Sequence, residues 1–219
     1  MSYINNDGLV FDDSRFPSMI LTGIAKGETK NDINIPKATA GFYVREIAPF
    51  AFQNNQFIKA VNIANTVQKI GQSSFDGCSD LLYLFMETSP SVVEIEKRAF
   101  RSCSKLTGIT CLSPISIDEE VFTNCSNIRT VDIRATEIGK KAFSRCSLLH
   151  HVSLHLMVEI APDAFEQCEK LSNLYIMDDV KGSLDFIKNL TTETKVHCRP
   201  NSRVAELIYD GYKIVADLD

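Results

Sequence analysis

The sequence predicts a curved solenoid, α/β in class but mainly β, with one short helical turn and one short strand in every repeat. Three observations carry that reading. A twelve-residue stretch recurs in altered spelling, as "IEKRAFRSCSKL" from residue 95, "IDEEVFTNCSNI" from 117, "IGKKAFSRCSLL" from 138 and "IAPDAFEQCEKL" from 160. The unit-opening isoleucines at 47, 70, 95, 117, 138 and 160 set successive lengths of 23, 25, 22, 21 and 22 residues. Self-similarity with a period in the twenties marks stacked coils. Each unit also closes on aliphatics two apart, as in "LTGITC", "IRTVDI" and "LSNLYI", the pattern of a strand with one buried face.

Counted from the opening Ile, the frame is Phe at +5, Cys at +8, Leu or Ile at +11 and an aliphatic at +14. The middle, "KRAFRSC" or "KKAFSRC", carries Ala, Lys and Arg without β-branched residues, which predicts a single helical turn with Phe pointing inward. Phe52, Phe75, Phe100, Phe122, Phe143 and Phe165 are expected to stack as a structural spine. Cys78, Cys103, Cys125, Cys146 and Cys168 form a ladder at one equivalent position, expected to fit against the neighbouring coil and to meet a loop amide. Asn55 replaces Cys in the first unit and is the better partner for such an amide. One coil cannot bury its own apolar face, so stacking must supply the missing wall, at about 25 cal/mol per Å² removed from water.

The 219 residues carry a formal net charge of -5 and 44% hydrophobic residues, enough for a sizeable core and without the basic block that nucleic-acid binding requires. The polar, acidic start "MSYINNDGLVFDDSRF" lacks a secretory pattern, and no apolar run reaches membrane-spanning length, so the chain as given reads as cytoplasmic without membrane insertion. Seven cysteines could cross-link neighbouring coils, but an odd count and the ladder placement favour buried free thiols.

No phosphate loop, dinucleotide glycine motif, nucleophile elbow, HExxH or CxxC occurs, so no enzyme, cofactor or metal is expected. "HHVSLH" comes nearest to a metal site, yet on a strand His151 and His155 lie roughly 13 Å apart, too far for one ion. Asp132 on the preceding strand could approach one of these histidines. His197 and Cys198 are adjacent in a strand and point to opposite faces, which argues against a nucleophile and base. The sequons at Asn124 and Asn189 are short enough to arise by chance.

"KIGQSSFDGCSDLLYL" and "EIGKKAFSRCSLLHHV" closely resemble the BspA-like leucine-rich repeat, and the resemblance spans residues 33–176. It implies a parallel sheet on the concave face. It also implies a single leucine-rich-repeat domain over 1–219, with an N-terminal hairpin cap over 1–32 and a C-terminal cap of strand, helix and strand over 177–219. The proline that follows the strand in that family stands at Pro36, is shifted at Pro90 and Pro114, and is missing between units five and six, where coil geometry is expected to be least regular. The resemblance further implies adhesion, with a host-matrix or cell-surface protein as partner and a secreted or surface location. A cytosolic scaffold or regulatory module, and a purely structural repeat protein, are the alternatives.

Period two places Tyr83, Phe85, Asp132, Arg134, His151, His155, Tyr175 and Met177 in outward columns on the concave sheet. Aromatics and Arg on a sheet surface are the residue types that anchor protein partners, so these eight are the candidate partner-binding residues.

Overall fold

The computed structural model describes residues 2–210 and 213–218, the side chains of 208–210 excepted. The chain winds as a solenoid whose coils are joined almost entirely by parallel strands. An antiparallel hairpin, Leu9–Asp12 with Met19–Ile24, opens it, flanked by the short strand Ser2–Ile4. From there the coils contribute concave strands and corner strands, the latter including Phe42–Ile47, Lys69–Ile70, Val93–Ile95 and Val158–Ile160, which end on the opening Ile. The concave strands include Asp32–Ile35, Ala60–Ile63, Tyr83–Met86, His151–Leu154, Asn173–Ile176 and Lys195–Cys198. In Gly108–Ile117 and Thr130–Ile138 concave and corner segments run together as one strand. The last segment supplies the strand Lys195–Cys198, the 3-10 helix Ala205–Asp210 and the strand Ile214–Val215. Positions 211, 212 and 219 of the expected C-terminal cap, and position 1 of the N-terminal one, lie outside the described residues.

The six phenylalanines form one continuous stack, with neighbouring ring centroids 4.9 to 5.6 Å apart and nearly parallel planes. All are buried, together with the isoleucines of the corner and the aliphatics of the concave strands. All seven cysteines are buried free thiols. At the ladder position the thiol donates to the carbonyl of the phenylalanine one coil earlier, for example Cys125 to Phe100 at 3.1 Å and Cys168 to Phe143 at 3.0 Å. The thiol thus meets a carbonyl of the preceding coil, and the Asn55 and Cys125 N–H groups of that coil face the Cys78 and Cys146 sulfurs. Asn55 does meet loop amides, accepting from the N–H groups of Phe57 and Ile58.

One local expectation is corrected. The segment between Ile and Cys is no helix but a run of turns, with left-handed backbone at +3 and +7: Phe50 and Asn54, Ser73 and Gly77, Arg98 and Ser102, Glu120 and Asn124, Lys141 and Arg145. Alternate N–H groups explain why. In the third unit Ala99, Arg101 and Cys103 donate three residues back within the coil, while Arg98, Phe100 and Ser102 donate to the carbonyls of Glu119, Val121 and Thr123 in the next. A helix would turn every N–H inward along its own axis; the left-handed residues free every second one for the neighbouring coil. Stacking overrides the helix propensity of Ala, Lys and Arg.

Equal offsets also meet across coils. Lys97 pairs with Glu119 at 2.8 Å, Arg98 with Glu120, and Lys105 with Asp80 at 2.8 Å. Arg101 holds the buried Asp76 through two hydrogen bonds of 2.9 and 2.8 Å.

The main irregularities do not fall between units five and six, where the corner strands stay in register as Glu137 with Glu159 and Ile138 with Ile160. One lies on the concave face between units two and three. The strands Asp32–Ile35, Ala60–Ile63 and Tyr83–Met86 form a separate three-stranded sheet, and no strand pairing joins Tyr83–Met86 to Gly108–Ile117. A side chain bridges the gap instead. The fully buried Ser113 hydroxyl accepts from the Ser89 N–H at 2.7 Å and donates to the Glu87 carbonyl at 3.3 Å.

Candidate functional site

Parallel registers set the concave columns residue by residue. Ala60 lies opposite Tyr83 and Asn62 opposite Phe85; further along, Asp132 faces Ser153, which faces Tyr175, which faces His197. A parallel ladder puts equal offsets side by side, so alternate residues of successive coils build continuous stripes.

Three regions follow along this face. At the interruption of the sheet, a groove of about 500 Å³ is lined by Tyr83, Phe85, Leu112, Thr88, Thr110 and Thr130, among others. Tyr83, Phe85 and Leu112 are 63%, 58% and 60% exposed, although each sits within a strand. Gly108 belongs to the same lining, and a methyl group there would come within 3.1 Å of the Thr130 hydroxyl.

In the middle, Asp132 accepts a 2.5 Å hydrogen bond from His155 Nε2, and Arg134 is exposed beside them in sequence. This is the approach that the spacing of "HHVSLH" left open between Asp132 and several histidines; His151 instead lies 3.2 Å from the Ser153 hydroxyl. Among the described residues no three His, Cys, Asp or Glu side chains converge as metal ligands would.

Farther along, the Tyr175 ring lies between two imidazoles, 4.8 Å from His151 and 4.1 Å from His197, the second nearly parallel. His197 is buried; its Nδ1 faces the Asp217 carboxylate at 3.0 Å and its Nε2 faces Asn173 Oδ1 at 3.2 Å. Cys198 points the other way into the core, and burial raises its thiol above the ordinary range. Met177 is half-buried.

The structure thus brings Asp132 to His155 and His151 to Tyr175, and leaves Tyr83 and Phe85 near the groove. Two contributors lay beyond sequence reasoning. Ser113 gives no signal in "CLSPIS", because its role depends on a broken ladder. His197 lies in the segment read as the C-terminal cap; its strand keeps the repeat register, Lys195 opposite Asn173, so a seventh unit counted from that register begins at residue 182. Its frame is worn: Gly182 stands where Ile is expected, Ile187 where Phe is, and Leu190 where Cys is.

A solenoid of parallel strands with a repeating Ile, Phe and Cys core defines a leucine-rich-repeat protein. The chain belongs to the BspA-type leucine-rich repeat family: the model of that repeat region matches six copies, over residues 23–146 and 85–187. Solved structures agree in fold. A Treponema pallidum leucine-rich repeat protein is 22% identical with a TM-score of 0.62, over all of this chain and 96% of its own. A leucine-rich cell surface protein of Faecalibacterium prausnitzii is 24% identical with a TM-score of 0.61; the match covers 80% of this chain and about half, 54%, of that one. A Bacteroides ovatus leucine-rich repeat protein is 18% identical with a TM-score of 0.56, over 92% of this chain and 57% of that one. No curated protein is matched. Among the described residues no helix is long and apolar enough to cross a membrane.

Proposed function

We propose that this chain is a non-enzymatic protein-binding module that holds its partner against the concave sheet, with the groove at the sheet interruption as anchor. One observation carries the reading: Tyr83, Phe85 and Leu112 stay mostly exposed around a groove that runs into the sheet. Large side chains on a rigid strand lose little entropy on binding and suit an apolar anchor, while Arg134, the Asp132–His155 pair and the stacked Tyr175 supply the polar surround. Met177, half-buried, contributes shape at the edge.

Adhesion at a cell surface is the form of this reading we favour. The F. prausnitzii protein of similar fold is described as a cell surface protein, and the family resemblance points the same way. A host-matrix or cell-surface protein is the corresponding partner, and a cytosolic scaffold is the rival.

The test places a photo-crosslinking amino acid at position 85 and, separately, at 145 on the convex side, in intact source cells and in lysate. A protein captured from 85 and not from 145 is then purified and titrated against Tyr83→Ala with Phe85→Ala. Its affinity is expected to fall by at least about 1 kcal/mol with the fold intact. Equal capture from both positions, or unchanged affinity, sinks the concave site; capture only after lysis favours the scaffold.

A further inference from the structure

Between successive coils the same four backbone hydrogen bonds recur. The N–H groups at +3, +5 and +7 donate to the carbonyls at +2, +4 and +6 of the next coil, and the N–H at +1 of that coil donates back to the opening Ile. Between the third and fourth coils these are Arg98 to Glu119, Phe100 to Val121, Ser102 to Thr123 and Asp118 to Ile95. The set is complete at the first four boundaries. At the fifth, Phe143, Arg145 and Ala161 keep their bonds, but the Lys141 N–H turns to the Asp163 side chain at 3.4 Å.

At the sixth boundary all four are gone. The N–H groups of Asp163, Phe165, Gln167 and Ser183 make no such bonds, because the facing segment is the 3-10 helix Asp185–Asn189, which closes its turns on itself. The ring stack ends at Phe165, since Ile187 stands at the spine position, and Leu190 cannot donate the hydrogen bond that Cys supplies in earlier coils. What remains is the packing of Phe186, Ile187 and Val196 into the shared core, the concave pairing of Asn173–Ile176 with Lys195–Cys198, a two-residue corner pairing, and a few side-chain bonds such as Asn189 Nδ2 to the Pro162 carbonyl at 2.9 Å.

We infer that the coil beginning at residue 182 is a separable closing coil, which opens from the solenoid as a unit while coils one to six stay folded. In a linear stack, stability is a sum of coil and boundary terms, so a boundary lacking its recurring bonds is where the molecule parts first. Opening bares the end of the phenylalanine spine and the row of N–H donors at Asp163, Phe165 and Gln167. At five earlier boundaries such a surface is met by the carbonyls and ring or side chain of a following coil.

Residue-resolved hydrogen exchange on the whole chain tests this. The amides of Asp163, Phe165 and Gln167 are expected to exchange freely where those of Phe143 and Arg145 are protected. The Lys195 amide, bonded across the boundary to the Ser172 carbonyl, is expected to exchange at least about thirtyfold faster than the amides of Thr130–Ile138, with a urea dependence clearly below theirs, as opening of a single coil requires. A smaller ratio, or a urea dependence equal to that of the central strands, means that the closing coil unfolds only with the rest and overturns the inference. Ile187→Phe combined with Leu190→Cys, which writes the frame back into the seventh coil, is expected to narrow the ratio at least about tenfold. An unchanged ratio would show that the worn frame is not the cause.

Discussion

Truncation of Phe122 to alanine tests the spine most directly. The ring is 1% exposed and lies between Phe100 at 5.5 Å and Phe143 at 5.3 Å, with interplanar angles of 7° and 13°. A buried Phe→Ala change costs about 3 to 5 kcal/mol through lost transfer energy and the cavity left behind. Two stacked aromatic pairs at about 0.5 to 1.5 kcal/mol each place this site toward the upper end. Phe52 ends the stack and has one ring neighbour, Phe75 at 4.9 Å, so Phe52→Ala should cost about 1 kcal/mol less. Phe57 is 54% exposed, and its removal should stay within about 0.5 kcal/mol. The chain has no tryptophan, so far-UV circular dichroism during guanidinium unfolding is the assay of choice. The m-value must be followed as well, because repeat arrays can lose two-state behaviour. A cost for Phe122→Ala below about 1 kcal/mol at unchanged m, or equal to that of Phe57→Ala, would refute a continuous spine.

Two further outcomes are expected. Ser113→Ala removes the hydroxyl that accepts from the buried Ser89 N–H and should cost about 1 to 3 kcal/mol; a melting temperature within error of the parent would show that the hydroxyl bridge carries no weight. Burial pushes the Cys78 thiol up to about 12 from an ordinary value of 9.0, and raises Cys103 and Cys146 well above theirs. A raised folded value favours the protonated, folded state, so this stability is whole below pH 9 and drains away as pH rises toward 12. At pH 10 one such thiol withdraws about 1.4 kcal/mol. Unfolding at pH 7 and pH 10 should therefore show a shallower loss for Cys78→Ala than for the parent by about 1 kcal/mol, and identical losses would contradict a protected thiol.

Much of this architecture could be read from the sequence because stacking makes one physical demand at each coil. Ile at the corner, Phe at +5 and Cys at +8 recur because each is buried against its own equivalent, and period two then orders the outward columns. The turn segment misled through its composition, since Ala, Lys and Arg suit a helix but carry no sign that every second N–H is needed by the next coil. The charge pairs were written in the sequence as opposite signs at equal offsets, Asp76 with Arg101 and Lys97 with Glu119, and show only when units are aligned on one another. The groove could not be read, because it arises where the strands Tyr83–Met86 and Gly108–Ile117 fail to pair, although both have the expected alternation. His197 was hidden by a seventh coil that keeps the register while losing Ile, Phe and Cys.

The pairing of equal offsets bears on how such a chain can change its length. Excising the third unit would join the second to the fourth without disturbing Ile, Phe or Cys, and the core frame would read as continuous. Asp76 and Asp80, however, would then face Thr123 and Asn127 in place of Arg101 and Lys105. Asp76 is buried, and a buried carboxylate stripped of its guanidinium costs about 3 to 5 kcal/mol. The units are therefore alike in shape but not interchangeable. The second, third and fourth units carry an address on the flank that names a neighbour, and gain or loss of one of them by recombination must be followed by compensating changes at those few offsets.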